Sequence, residues 1–84
     1  MEKLLNVRVS RSSKLVWEGD ATSVTSENVD GPFDVLPMHA NFLTLIHGAP
    51  IVITQADGAQ ETFTFEHAVM YVRNNHVSVF AEIQ

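Results

Sequence analysis

The sequence contains no cysteine, which removes disulfide staples, thiolate nucleophiles and cysteine-ligated zinc and leaves the apolar core alone to carry stability. This usage fits a reducing compartment. Glycine is scarce, at four residues, and none sits in a phosphate-cradling pattern, so nucleotide binding of the P-loop or Rossmann kind is excluded. Positive charge is also short. Five basic residues against ten acidic give a net charge of −5, which opposes the phosphate contacts and counterion release behind nucleic-acid binding and argues against that partner. No stretch approaches the ~20 apolar residues of a membrane span, and residues 1–6 break their apolar run too early for a secretory leader. The expectation is a soluble, cytoplasmic chain. There is no internal repeat, low-complexity run or linker. A length of 84 residues predicts one domain, 1–84.

What is present is hydrophobic alternation. Hydrophobic residues make up 45% of the chain and charged ones 18%, ordinary for a globular domain that buries roughly 60% of its unfolded surface. Leu5, Val7 and Val9 recur with period two, then Leu15 and Trp17, then Val24 between Thr22 and Thr25. The pattern resumes at Ile51 and Ile53, Phe63 and Phe65, Met70 and Val72, and ends with Val77, Val79, Ala81 and Ile83. Period two places successive side chains on opposite faces of a strand, so the fold class is all-β. Turn chemistry falls between the stripes at Arg11-Ser12-Ser13, Gly19-Asp20, Asp30-Gly31-Pro32, Gly48-Ala49-Pro50, Asp57-Gly58 and Asn74-Asn75. Asp-Gly and Asn-Asn tolerate the positive φ of tight hairpins, which predicts consecutive antiparallel hairpins in the second half and a sandwich or barrel overall. Met38, Phe42, Leu45 and Ile46 also fit one helical face, but Gly48 and Pro50 would cut such a helix short. An irregular or extended passage with at most one helical turn is expected there.

Chemistry-bearing patterns are few. His39, His47, His67 and His76 form no H-x-H or H-E-x-x-H group, and the neighbours Glu66 and His67 are expected to diverge as adjacent strand residues do. The serines lie in turns or in the strand over 23–26, without a nucleophile elbow. Lys3, Arg8, Arg11 and Lys14, followed by the acidic Glu18, Asp20, Glu27, Asp30 and Asp34, read as a solvated surface. A binding or structural role remains, with no cofactor and no metal. The unusual stretch is 30–43, where Pro32 and Pro37 remove backbone donors and confine the segment to an edge or a loop. Its Phe33, Val35, Leu36 and Phe42 beside Asp34, His39 and Asn41 suit a partly wet protein interface, or equally a loop folded over the core.

The residues Gly31-x-Phe33-x-Val35-Leu36-Pro37-x-His39-Ala40, preceded by Trp17-Glu18-Gly19-x-Ala21-x-x-Val24, resemble the amino-terminal β-sandwich of the epsilon subunit of F-type ATP synthases, called delta in mitochondria. The order of elements resembles that family over nearly the whole chain. The resemblance implies a flattened antiparallel sandwich of about ten short strands without a helical hairpin. It also implies a non-catalytic central-stalk subunit that packs on the gamma subunit and rests on the c-ring, coupling proton flow to ATP synthesis from the inner face of the plasma membrane. By the same resemblance Pro37, His39, Ala40 and Thr44 face gamma, with His39 a hydrogen-bonding anchor, and Gly31, Pro32 and Phe33 lie towards the c-ring. Met38 and Asp34 depart from family positions where Gly is common, and Asn41 from one where Pro is common. The family continues into a two-helix extension that inhibits hydrolysis and in some members binds ATP; here Gln84 is last, so the chain is either trimmed or, the reading favoured, a natural short form, and neither property is assigned to it. Two rival readings stay open: a free-standing sandwich for another protein partner, and a small metal-dependent sandwich enzyme.

Overall fold

Nearly every apolar–polar alternation in the sequence becomes a strand in the computed structural model, which describes residues 3–38 and 41–82. The strands are β1 (Leu5–Arg11), β2 (Lys14–Ala21), β3 (Ser23–Asn28), β4 (Gly31–Val35), β5 (Phe42–Ile46), β6 (Pro50–Thr54), β7 (Gln60–Thr64), β8 (Ala68–Arg73) and β9 (His76–Ala81). They form a five-stranded sheet, β2-β1-β9-β8-β5, and a four-stranded sheet, β4-β3-β6-β7. Among the described residues there are thus nine strands and no helix, close to the ten expected. The ambiguous segment resolves as the extended β5. Expectations that fall on His39, Ala40 and Ile83 lie outside the described residues.

The chain zigzags between layers as hairpins. β1–β2, β3–β4, β6–β7 and β8–β9 each pair antiparallel within one sheet, and the segments between hairpins, with β5, cross from one sheet to the other. Two hairpin turns carry left-handed backbone at non-glycine residues: Ser12 and Ser13 (φ 49° and 69°), and Asn74 and Asn75 (φ 50° and 64°), the conformation that matches strand twist in a two-residue turn. The expectation of antiparallel pairing needs one correction. β1 and β9 run parallel, Val7 opposite Val77 and Val9 opposite Val79. Side-chain alternation carries no information about strand direction, and these two strands come from opposite ends of the sequence.

A second correction concerns Gly19 and Asp20, expected as a turn. β2 runs straight through them, and Gly19 lies opposite Val7 within the ladder. The glycine is needed for space: a Cβ there would sit 2.8 Å from the far edge of the Trp17 indole, which lies across it and packs against the core. Gly19→Ala is expected to lift the indole off this shelf. The chain has one tryptophan, so a red-shifted emission maximum together with a lower urea midpoint would register the change; unaltered emission would contradict it.

Burial follows register. Across the five-stranded sheet Phe42, Val72, Val77, Val7 and Gly19 form one inward row, and Thr44, Met70, Val79, Val9 and Trp17 the next. Val24, Val35, Ile51 and Ile53 face them from the other sheet, each with no exposed surface. The prolines sit where a missing N–H is tolerated: Pro32 on the edge strand β4 and Pro50 at the first position of β6.

Candidate functional site

Of the 30–43 stretch, residues 30–38 and 41–43 occupy edges, as the prolines require. β4 borders the smaller sheet and β5 the larger, so the chain passes from one exposed edge to the other. Phe33 and Phe42 lock the two edges together, their rings edge-to-face at 5.8 Å and packed on the core. Asn28 Nδ2–H donates to Thr44 Oγ1 at 2.9 Å, a second link between the layers, while its Oδ1 accepts from Asp30 N–H at 2.9 Å and fixes the β3–β4 turn.

Of the residues named from sequence, the structure therefore brings Gly31, Phe33 and Thr44 to one rim, with Pro32 beside them. Pro32 is exposed, whereas Gly31, Phe33, Pro37 and Thr44 are half-buried. Gly31 has φ +117° and open space around its missing Cβ, so its role is backbone shape. Phe33 turns inward along β4, as does Thr44 along β5. His39 and Ala40 lie outside the described residues.

The approach to that loop is pinned by a turn whose sequence marks it only as a hairpin. Met38 N–H donates to Asn75 Oδ1 at 2.7 Å, and Asn74 N–H donates to Asn41 Oδ1 at 3.1 Å. Met38 itself has φ 69°, left-handed backbone at the position where the resembled family often has glycine. Asn75→Gly keeps the turn's left-handed conformation but deletes the clamp. Hydrogen exchange at Met38 is expected to accelerate and stability to fall by about 1 kcal/mol; unchanged exchange would show that Asn75 does not hold the loop.

An exposed apolar surface lies on the outer side of β5 and its neighbours. Leu43, Leu45, Val69, Tyr71 and Phe80 share the outer face of the five-stranded sheet, Leu43 opposite Tyr71 and Leu45 opposite Val69, which in turn faces Phe80. Leu43 and Leu45 are 62% and 55% exposed, on an edge strand with unpaired backbone groups. Alternation against Val77 and Val79 is enough to single out Phe80 in the sequence. Val69 and Tyr71 alternate in the same way against Met70 and Val72, whereas Leu43 and Leu45 escape notice because Leu43 to Ile46 is a nearly continuous apolar run that does not say which face is outside. Towards β1 this outer face turns polar, where Arg8 and Glu18 pair across β1 and β2 at 3.2 Å beside Ser10 and Ser78, before the exposed Leu15 of β2 opposite Ser10. The exposed Arg8–Glu18 pair joins the basic block to the acidic one and contributes little to stability.

The histidines are arranged differently from expectation. Glu66 and His67 do not diverge: they lie in the β7–β8 connection rather than in a strand, and His67 Nε2 stands 3.7 Å from Glu66 Oε1. His47, just after β5, meets His67, just before β8, with Nδ1 atoms 3.1 Å apart and rings at 87°. Among the described residues, no three His, Cys, Asp or Glu side chains gather around one point. No helix there is long and apolar enough to cross a membrane.

Comparison with known proteins agrees with this architecture. The family described as "ATP synthase, Delta/Epsilon chain, beta-sandwich domain" matches residues 4–83. The ATP synthase epsilon chain of Nitratiruptor sp. is 31% identical over 78 residues, covering 93% of this chain and 60% of that one. A chain of the Euglena gracilis mitochondrial ATP synthase, solved with OSCP, F1 and c-ring, superposes with a TM-score of 0.86 at 11% identity, covering 93% of this chain and 50% of that one. One from the Tetrahymena thermophila mitochondrial ATP synthase central stalk and c-ring gives 0.76 at 12% identity, covering 95% and 64%. At such identities the two structures speak for the fold alone, and the chain spans about 60% of the length of the Nitratiruptor relative. With the family's pattern running through all nine strands and its fold reproduced in both sheets, the chain belongs to the ATP synthase delta/epsilon family and comprises its β-sandwich domain.

Proposed function

We propose that this chain is a non-catalytic component of the central stalk of a proton-translocating F-type ATP synthase, docking on the gamma subunit and the c-ring to couple ion flow to ATP synthesis. The observation that carries this reading is the family match over residues 4–83, supported by the like fold of chains from structures that contain F1, central stalk and c-ring. Such a subunit works at the cytoplasmic side of the plasma membrane, peripheral to it through the complex.

The docking surface proposed is the rim at β4 and β5. Pro37, His39, Ala40 and Thr44 lie towards gamma, and Gly31, Pro32 and Phe33 towards the c-ring. The exposed stripe of Leu43, Leu45, Tyr71 and Phe80 continues this rim and supplies the apolar centre that a protein interface needs, with the Arg8–Glu18 side as its polar margin. A rim held by the Phe33–Phe42 contact and the Asn75 clamp loses little conformational entropy on docking, which favours affinity. Because Phe33 packs on the core, Phe33→Ala tests folding as much as docking; exposed β5 residues are the cleaner probes. The reading is tested by recovering the tagged chain from native membranes. Co-recovery of gamma and c subunits is expected. Recovery of a different protein with neither subunit would favour a free-standing interaction module.

A further inference from the structure

The register of the five-stranded sheet makes one contact that the local sequence does not signal. β5 and β8 pair up to Ile46 and Ala68, and His47 and His67 stand one step beyond that last pair, directly across from each other. Their Nδ1 atoms approach to 3.1 Å with perpendicular rings. The contact borders a shallow groove of about 120 Å³ lined also by Leu45, Val69 and Phe80.

Two imidazole nitrogens bound to one zinc-like ion, each at 2.0–2.1 Å, stand about 2.9–3.4 Å apart for bond angles between a right angle and tetrahedral. The separation observed falls inside that interval. The other ring nitrogen of His67 lies near a carboxylate, Glu66 Oε1 at 3.7 Å, which places a negative charge beside the pair. The Glu66 turn is itself held, because Glu66 N–H donates to Glu82 Oε1 at 3.1 Å and Glu82 N–H donates to His67 O at 2.8 Å. Both rings are exposed, so an ion from solvent can reach the two nitrogens.

We propose that His47 and His67 form a two-imidazole site for a borderline divalent transition-metal cation of the Zn²⁺ or Ni²⁺ class, bound through both Nδ1 atoms with water completing the coordination. Nitrogen ligands select such ions over Mg²⁺ and Ca²⁺, which prefer oxygen. The competing account is a hydrogen bond in which one ring donates to the other and no ion is taken up.

Titration of the whole purified chain with ZnCl₂ or NiCl₂, followed by calorimetry and by long-range ¹H–¹⁵N spectra of the imidazoles, separates the two. The site predicts saturable binding of one ion per chain, with the Nδ1 resonances of His47 and His67 shifting together and no response to Mg²⁺. His47→Ala and His67→Ala each abolish saturation in the range where the parent saturates, and His76→Ala does not. Acidification weakens binding because protons compete for the same lone pairs. Absence of saturation, or an affinity unchanged in both alanine variants, would leave only the hydrogen bond and overturn the proposal.

Discussion

Ile53→Ala is expected to lower the free energy of unfolding by about 2–5 kcal/mol, the range for deleting most of a buried aliphatic side chain whose surroundings cannot fully collapse. Ile53 has no exposed surface. It lies on β6 between β3 and β7, opposite Val24 in one ladder and Glu61 in the other, so backbone on both sides holds the cavity open. A chain of 84 residues has roughly 4–13 kcal/mol of stability in all and no disulfide to restrain its unfolded state, so this one change removes a large share of it. Urea unfolding followed by far-ultraviolet circular dichroism reads the effect. A loss under about 1 kcal/mol would mean that the two sheets close over the gap, contrary to a core braced on both sides.

Leu43→Ser with Leu45→Ser is expected to do the reverse: leave folding nearly untouched and weaken docking on gamma severely. Both side chains are more than half exposed and point away from the core, so each change should move stability within about 0.5 kcal/mol. At a desolvated interface centre, losing two apolar anchors costs about 2 kcal/mol or more, a drop of roughly 30-fold in affinity. Calorimetric titration with purified gamma subunit, beside a thermal melt, checks both halves. Equal affinity in the double variant would remove the outer face of β5 from the docking surface while leaving family membership intact.

The contrast between these substitutions shows where sequence is informative. Alternation at Val7/Val9, Ile51/Ile53 and Val77/Val79 identifies inward rows directly, because a half-buried strand imposes period two on its residues. Pro32 and Pro37 by themselves confine the 30–43 segment to an edge or a loop, since a missing donor excludes a central position. Other features depend on contacts between distant residues. Nothing local distinguishes Leu43 and Leu45 from the buried Ile46, because such a run fits either face. The hold of Asn75 on Met38 spans 37 positions, and the meeting of His47 with His67 depends on the register of β5 against β8. Searching for histidines at short spacings passes over such a pair. Gly19 misleads in a different way: glycine before an acidic residue signals a turn, whereas here it makes room for the Trp17 ring on a continuous strand.

If a folded all-strand shell engages the rotor through β5 and its neighbours, hydrogen exchange of the chain, recorded free and saturated with purified gamma subunit, tests it most directly. Added protection is predicted at residues 42–46 of the unpaired β5 edge and at the adjoining β8 backbone, with β7 on the opposite sheet unchanged. Protection confined to β7 or to β2, or none at any residue under saturating gamma, would contradict it.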